Sequence, residues 1–306
     1  MPDRARTPKP RRMLTEDTCS YSLVTPVRDE QENLKRLADS VERQTILPCA
    51  WVIVDTGSTD GTSQVASAIV ARLPFAHTIS IAPSATATRG GPIVRAFHAG
   101  VEMLRPAPDM VMKLDADVSF EPDYCERLLD AFGADPHLGV ASGMCTELRG
   151  DEWKLLFGTR HHVWGASRAY RWSCLEQILP LEQREGWDEI DSIKAQLRGW
   201  NARVISGLLF RHHRPEGLRD GSSRKRWRGQ GDTAHYMGYR FYYLAARALW
   251  RSAQDPAAIS MVSGYARAAI RRDARCPDAA VRAHLRREQS LRRLPLRVRE
   301  SLGRVT

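Results

Sequence analysis

The fold is decided by the stretch Ala50-Trp-Val-Ile-Val-Asp55-Thr-Gly-Ser-Thr-Asp60-Gly61. Its first half is short and almost wholly apolar, which is typical of a strand that is buried on both faces of a sheet. Its second half supplies turn and N-cap residues, and these predict a helix that continues to about Leu73. The stretch therefore predicts one βα unit with Asp55 at the carboxyl end of its strand.

The same alternation extends to both sides of this unit. Apolar runs predict strands at 21–26, 77–81 and 110–114, and helical spacing predicts helices at 32–44, 93–104 and 122–132. Strands and helices in this order favour right-handed crossovers on a parallel sheet. We predict an α/β fold with a Rossmann-like, mainly parallel sheet flanked by helices. Ligands of such sheets bind at the carboxyl ends of the strands.

The chain after residue 135 is less regular. We expect strands at 138–144 and 202–210, a helix after Gly186 that ends before Gly199, and an apolar helix at 236–250. These signals divide the chain into four parts. They are a disordered basic N-terminus over 1–19, a core domain over 20–215, a mobile basic loop over 216–232 and a helical C-terminal extension over 233–306.

Composition and charge bear on where the protein is located in the cell and on the surfaces it contacts. The chain has 306 residues and a formal net charge of +10, and its six cysteines form no CxxC pair. Irregular cysteine spacing predicts reduced thiols and a cytoplasmic location. No signal segment or apolar run of about 18 residues is evident. Twelve arginines and four acids lie between Tyr265 and Thr306, which predicts peripheral contact with an anionic membrane at its inner face, or with a polyanionic substrate.

Acidic residues follow three of the predicted strands. Glu30 comes after the first strand, Asp55 ends the second, and Asp115 and Asp117 follow the fourth. Two carboxylates two residues apart offer oxygen ligands that suit Mg²⁺ or Mn²⁺. Each acid alone is equally compatible with an ordinary helix N-terminus. Three acidic strand ends on one edge would repel one another unless a cation or hydrogen-bond donors met them, so the set predicts a cation site.

Four motifs in this order resemble those of family 2 glycosyltransferases with the GT-A fold. They are Pro26-Val-Arg-Asp-Glu-Gln-Glu-Asn-Leu34, Ser40-Val-Glu-Arg-Gln-Thr45, Val52-Ile-Val-Asp-Thr-Gly-Ser-Thr-Asp-Gly-Thr62 and Leu114-Asp-Ala-Asp117. The resemblance covers residues 21–213 and makes 20–215 a GT-A catalytic domain. It implies a nucleotide-sugar donor, a divalent cation, Mn²⁺ or Mg²⁺, and inversion at the anomeric carbon. The family often has Asn where this chain has Arg28-Asp29, which leaves the role of Asp29 open.

The resemblance also assigns roles to individual residues. For donor binding it implies Pro26, Glu30, Asp55, Ser58, Asp60 and Asp115, to which we add Arg95 as a candidate contact with phosphate. For the cation it implies Asp117 and Asp115, completed by a histidine, for which we take His213 with His212 as the alternative. The acceptor side would be formed by Gly165, Ala166, Ser167 and Trp187.

A general base is expected at the start of the helix that follows Gly186. In the family this position carries a Glu-Asp pair, where this chain reads Gly186-Trp-Asp-Glu-Ile-Asp191. An inverting displacement needs a carboxylate that takes the proton of the acceptor hydroxyl. We assign that role to Asp188, with Glu189 and Asp191 as alternatives.

The predicted activity is therefore sugar transfer to a glycan, lipid-linked or polymer acceptor, as in polysaccharide biosynthesis. A nucleotidyltransferase acting on sugar phosphates is the alternative, because it shares the sheet type and the acidic metal ligands. Val27-Arg-Asp-Glu30 after the first strand counts against it, since such enzymes usually have a glycine-rich basic loop there. A nucleic-acid partner is not expected, because the basic and aromatic residues form no recognised binding module.

Overall fold

A computed structural model describes residues 21–83, 88–156, 163–214 and 222–293. The strands are β1 (Tyr21–Val27), β2 (Ala50–Asp55), β3 (Ala76–Ser80), β4 (Met110–Leu114), β5 (Val118–Phe120), β6 (Leu138–Arg149), β7 (Glu152–Leu155), β8 (Ser167–Arg171) and β9 (Asn201–His212). The helices of the core domain are α1 (Gln31–Glu42), α2 (Thr62–Arg72), α3 (Gly91–Glu102), α4 (Tyr124–Ala134), α5 (Trp172–Ile178) and α6 (Trp187–Leu197). The C-terminal extension begins at residue 223 in the structure and contains α7 (Ser223–Tyr236), α8 (Phe241–Ser252), α9 (Ser260–Ile270) and α10 (Ala279–Glu288).

These strands form one sheet in the order β3-β2-β1-β4-β8-β6-β9-β5, with β7 paired to β6. Strands β3, β2, β1 and β4 are parallel, as predicted. Beyond them β8 is antiparallel to β4 and to β6, while β9 is parallel to β6 and antiparallel to β5. The predicted α/β fold is confirmed, and the antiparallel pairs are an addition that local sequence patterns did not specify.

Two apolar cores cover the two faces of the sheet. Because side chains alternate along a strand, Trp51 and Ile53 of β2 join the core beneath α1, α2 and α4, and Val52 and Val54 join the core beneath α3, α5 and α6. Burial on both faces explains why the strands read as continuous apolar runs. The acids after the strands lie beyond these cores, at the sheet edge.

A third core holds the C-terminal helices against α6. It includes Ile190 and Ile193 of α6 together with residues of α7 to α10 such as Leu244 and Met261. The extension therefore packs on the same helix that carries the predicted general base. Among the described residues no helix is long and apolar enough to cross a membrane.

The structure corrects the predicted loop over 216–232 and the helix at 236–250. Residues 223–236 form α7, and the next helix begins only at Phe241, after Gly238 with φ +77°; residues 215–221 lie outside the described residues. Glycines suggested a loop, but Gly231 lies where α7 crosses α9. A side chain there would come within 2.0 Å of the Met261 carbonyl oxygen, so glycine permits the close helix crossing.

The prediction that the cysteines carry reduced thiols holds only for part of them. Cys125, Cys145, Cys174 and Cys276 are buried and free. Cys49 is disulfide-bonded, so the prediction of reduced thiols is wrong at that residue.

The helix crossing yields a stability prediction for Gly264→Ala in α9. The added methyl group would lie 2.1 Å from the Arg228 carbonyl oxygen of α7. We expect the free energy of unfolding to fall by about 2 kcal/mol or more, as for other overpacked sites, measured by urea denaturation.

Gly133→Ala is the matched control, because Gly133 lies in α4 with no atom within 4 Å of the added group. Because alanine has a higher helix propensity than glycine, the free energy of unfolding should stay unchanged or rise by up to about 1 kcal/mol. Equal effects of the two substitutions would contradict the assigned role of Gly264.

Candidate active site

The predicted acids meet at one edge of the sheet. β1 lies between β2 and β4, and all three run parallel, so the loops after Val27, Asp55 and Leu114 leave the sheet side by side. The structure thus brings together the residues that the sequence placed at strand ends.

Asp55 organises the loop that follows β2. Its Oδ1 accepts hydrogen bonds from Gly57 N–H (3.0 Å), Ser58 N–H (2.8 Å) and Ser58 Oγ (2.8 Å), and its Oδ2 accepts one from Ser63 Oγ (2.6 Å). Burial raises the pKa of Asp55, but these hydrogen bonds outweigh it and hold the pKa below its ordinary value. Asp55 is therefore an ionised carboxylate that shapes the loop.

The loops after β1 and β2 are joined by hydrogen bonds. Asp29, at φ +55°, accepts from Thr59 N–H (2.7 Å), and its own N–H donates to Ser58 Oγ (3.1 Å). Glu30 N–H donates to Thr62 Oγ1 (2.7 Å), whose N–H in turn donates to Asp60 Oδ1 (2.9 Å). Asp29, whose role the sequence left open, thus holds the two loops together.

Glu30 forms an ion pair with Arg214, a residue that the sequence analysis did not identify. Arg214 donates from Nη1 to Glu30 Oε1 (2.8 Å) and from Nη2 to Glu30 Oε2 (2.5 Å), and its Nη1 lies 3.6 Å from Asp117 Oδ2. Such a bidentate ion pair fixes the orientation of both side chains. Arg214 comes two residues after His212, the last residue of β9. Its position next to the two histidines was the only sequence signal that pointed to it.

Asp115 is paired with Lys113, the second residue that was missed. Lys113 Nζ donates to Asp115 Oδ1 and to the Gly165 carbonyl oxygen (2.9 Å), although it is buried. A lysine inside the apolar strand Met110–Leu114 was the available signal, because a buried lysine needs a partner. Burial raises the pKa of Asp115, and the negative charge of Asp117 adds to this effect.

Asp117 faces His212 rather than His213. In the antiparallel pairing of β5 and β9, His212 lies opposite Val118, and its Nε2 is 3.4 Å from Asp117 Oδ1. Its Nδ1 is 3.3 Å from Glu147 Oε1 on the neighbouring strand β6. Burial lowers the pKa of His212, but Asp117 and Glu147 outweigh it and raise the pKa to about 10. Burial raises the pKa of Asp117, but His212 and Arg214 hold it below its ordinary value.

The ring of His213 points elsewhere. Its Nε2 lies 2.7 Å from Ser119 Oγ, and its ring packs edge-on against Trp153 at 5.1 Å between centroids. Burial and the charge of Arg36 lower the pKa of His213 to about 4. The structure therefore favours His212 over His213 as the imidazole beside Asp117.

The Asp117–His212 pair is compatible with a cation. Two ligands about 2.1 Å from one ion lie roughly 3 Å apart in octahedral geometry, close to the observed 3.4 Å. Glu147 would orient the imidazole through its other nitrogen, as carboxylates do at many metal sites. Within the described part of the chain, no three acidic, histidine or cysteine side chains converge on one cation position. The remaining ligands would have to come from outside these side chains.

The three acids of α6 have separate environments. Asp191 is buried and paired with buried Arg168, which also donates to the Asp188 carbonyl oxygen (2.7 Å). Glu189 accepts from Tyr239 Oη (2.8 Å) of the extension. Asp188 Oδ2 faces Gly165, where an added methyl group would lie 3.4 Å from it. Asp191 anchors the helix, Glu189 binds the extension, and only Asp188 faces the segment that Lys113 links to Asp115.

The predicted acceptor residues also differ in whether they border the site or pack inside the domain. Gly165 lies beside Asp188 and the Trp187 ring, and the Ala166 carbonyl oxygen accepts from Asp115 N–H (2.8 Å). Ser167 is buried, with its hydroxyl 2.8 Å from Tyr124 Oη. Gly165, Ala166 and Trp187 thus border the site, while the Ser167 side chain packs inside the domain.

Two predicted donor contacts lie in the strand and helix beside the loops. Pro26 is in β1, opposite Val54 of β2. Arg95, in α3, donates to the Ala82 carbonyl oxygen just after β3. Neither contact links these residues to the acids, so the structure does not add to their assignment.

The sequence match decides the family. The model for "Glycosyl transferase family 2" matches residues 22–179, which is more than half of the chain. The chain belongs to glycosyl transferase family 2. This family 2 glycosyltransferase has no match among curated protein sequences.

Solved structures share its fold. The mannosyltransferase PcManGT from Pyrobaculum calidifontis, in complex with GDP-Man and Mn²⁺, has a TM-score of 0.56 at 15% identity over 94% of this chain and 85% of its own. TarS 1-349 from S. aureus with UDP-GlcNAc has 0.53 at 17%, over 69% and 64%. GalNAc-T7 with UDP, GalNAc and Mn²⁺ has 0.57 at 14%, over 76% and 51%. At these identities the similarity shows the fold, which is that of GT-A glycosyltransferases.

Proposed function

We propose that this glycosyltransferase transfers a sugar from a nucleotide-sugar donor to a glycan, lipid-linked or polymer acceptor, with a divalent cation and with inversion. The observation that carries the proposal is the single rim where Asp55, Glu30, Asp115 and Asp117 meet, with Asp188 beside it across Gly165. The nucleotide sugars and Mn²⁺ in the similar structures support the same chemistry.

In this proposal the loops after β1 and β2 hold the nucleotide. Hydrogen bonds between Asp29, Glu30 and residues 58–62 make the two loops one rigid unit. Ionised Asp55 and the rest of this unit offer acceptors for hydroxyl and N–H groups of the nucleotide. The predicted donor contacts through Pro26, Ser58, Asp60 and Arg95 remain part of the proposal.

Asp117 and His212 would hold the cation, with Asp115 beside them. Bound there, a divalent cation supplies positive charge that stabilises the diphosphate leaving group. His212 carries a proton at neutral pH because its pKa is about 10, so cation binding requires loss of that proton. An oxygen–imidazole set suits Mn²⁺ better than Mg²⁺.

Asp188 would act as the general base. Its side chain is half-buried and its carboxylate faces Gly165. The carboxylate of Asp191 is instead paired with Arg168, and that of Glu189 accepts a hydrogen bond from Tyr239. The hydrogen bond from the Arg168 guanidinium to the Asp188 carbonyl oxygen fixes the first turn of α6. This environment supports Asp188 as the group that takes the proton of the acceptor hydroxyl.

The nucleotidyltransferase alternative has less support. After β1 the chain enters α1 through Arg28, Asp29 and Glu30, whose contacts run to the loop after β2 and to Arg214. This segment offers no glycine-rich run of backbone donors for a triphosphate. The family match points the same way.

Membrane contact is a further part of the proposal. Helix α8 exposes Phe241, Tyr242, Leu249 and Trp250, the last two by 69% and 51%. Arg247 and Arg251 lie on the same helix, where burial and the charge of Arg247 lower the pKa of Arg251. Exposed aromatic residues beside arginines suit the surface of an anionic bilayer. We therefore propose peripheral attachment on the cytoplasmic face through α8, together with the basic C-terminal region predicted from the sequence, whose residues 294–306 lie outside the described residues.

The general base can be tested with Asp188→Asn. We expect donor affinity within twofold of wild type and sugar transfer reduced by about 10²-fold or more, because the variant cannot take the acceptor proton. Donor affinity is measured by calorimetry, and transfer by release of nucleoside diphosphate with a responsive acceptor.

Glu189→Gln is the matched control, one position along the same helix. It should transfer sugar at a near wild-type rate, since its partner is Tyr239 of the extension. The reverse pattern would move the base to Glu189.

The cation ligand can be tested with His212→Ala and His213→Ala. We expect Mn²⁺ affinity, measured by calorimetry in the presence of the nucleoside diphosphate, to fall by about tenfold or more only in His212→Ala. A loss confined to His213→Ala would restore the assignment made from the sequence.

Membrane contact can be tested with Leu249→Glu/Trp250→Glu. Sedimentation with phosphatidylglycerol vesicles should weaken by about fivefold or more. Met103→Glu, an equally exposed apolar site after α3, is the control and should bind as wild type. Unchanged binding of the α8 variant would remove α8 as the contact.

A further inference from the structure

A cationic cavity lies between the extension and the turn that precedes α6. Its volume is about 590 Å³, within the range of small-molecule sites. The walls come from the segment before α3, the turn before α6 and helices α7 and α9. Six cationic side chains line it against two carboxylates, and the cationic ones are Arg89, Arg184, Lys225, Arg226, Arg228 and Arg267.

Some of this charge is neutralised within the protein. Arg89 pairs with Glu185 at 3.0 Å, and Arg267 pairs with Asp232 at 2.9 Å. Arg226 pairs with Asp255 at 3.2 Å, outside the cavity wall. These pairs use both carboxylates of the wall.

Lys225 and Arg228 have no carboxylate within 4.0 Å among the described residues. Both are exposed on α7 and both line the cavity. Cations gathered in a concave site raise the local potential and favour binding of an anion. The cavity therefore keeps positive charge that no carboxylate of its described wall residues pairs with.

Arg184 adds a fixed donor. Its guanidinium lies over the Tyr236 ring, 3.4 Å from the centroid, and Tyr236 is held by a hydrogen bond from its hydroxyl to Glu182 (2.8 Å). Stacking fixes the plane of the guanidinium. Its Nε is buried and has no hydrogen-bond partner among the described residues, so the guanidinium keeps unused donor capacity beside the cavity.

The cavity adjoins the turn that leads into α6, the helix that carries Asp188. Glu185 in its wall is three residues before Asp188, and an atom added at Gly186 would lie 2.8 Å from Thr233, which also lines the cavity. None of the acids or cations at the rim of β1, β2 and β4 lines it. The cavity is therefore separate from the predicted donor residues and lies next to the start of α6.

We propose that this cavity binds a phosphate or carboxylate group of an anionic acceptor, with Lys225, Arg228 and Arg184 as its contacts. Guanidinium groups match the geometry of both anions. The assignment to an acceptor rests on the proposed sugar transfer, whereas anion binding itself does not. The acceptor class is thus a saccharide that carries acidic groups near the hydroxyl to be modified.

The test is calorimetry on the full chain with inorganic phosphate, trigalacturonate and uncharged maltotriose. Wild type should bind the two anions and not maltotriose. Lys225→Gln/Arg228→Gln should bind them about tenfold more weakly, as expected when charged hydrogen-bond donors are removed from a partly exposed site. Arg224→Gln, an exposed arginine on α7 outside the cavity wall, should match wild type. Stronger binding of phosphate or of trigalacturonate identifies which anion the cavity prefers.

Donor affinity and donor hydrolysis, measured in the same variants with UDP-glucose and GDP-mannose, separate the two claims. Unchanged donor binding with lost anion binding supports the acceptor site. Equal anion affinity in all variants overturns the cavity as an anion site. Parallel loss of donor affinity assigns the cavity to the donor diphosphate and overturns the acceptor assignment. If wild type uses no nucleotide sugar yet the variants lose anion binding, the proposed function and the acceptor assignment fail while the anion site stands.

Discussion

The site depends on the position of β9 between β5 and β6. This strand brings His212 between Asp117 and Glu147 and carries the chain onward to Arg214, which joins Glu30 and Asp117. Without these cations the carboxylates at the edge would repel one another. The same pairing fixes which of two adjacent histidines faces the acid, since neighbours on a strand point to opposite sides.

A second constraint fixes α6. The buried Arg168–Asp191 pair joins β8 to α6, and the loss of one partner of such a pair typically costs about 3–5 kcal/mol. Arg168 also binds the Asp188 carbonyl oxygen, so the pair that stabilises the helix also positions its first turn. The extension packs on the other side of α6 through Ile190 and Ile193. The core domain and the extension thus share one helix, and the turn before that helix forms part of the wall of the cationic cavity.

Sequence reasoning succeeded where the signal was local. The apolar runs of β1, β2 and β4 and the turn after Asp55 predicted the parallel strands and their order along the chain. It was wrong at 223–232, where Gly229 and Gly231 suggested a loop. There the structure has α7, and Gly231 serves the contact with α9, a helix some thirty residues further along. Helix crossings of this kind leave no periodic signal in either segment.

The sequence by itself determined the βα units, the edge at which the acids gather, and the family to which the chain belongs. It did so because apolar periodicity and strand–turn–helix order are properties of neighbouring residues. Only the tertiary structure decided that Lys113 and Arg214 neutralise these acids, that His212 faces Asp117, and that Asp188 faces Gly165 while Asp191 is buried. Those choices depend on strand register and helix packing between residues up to 184 positions apart, which no local pattern encodes.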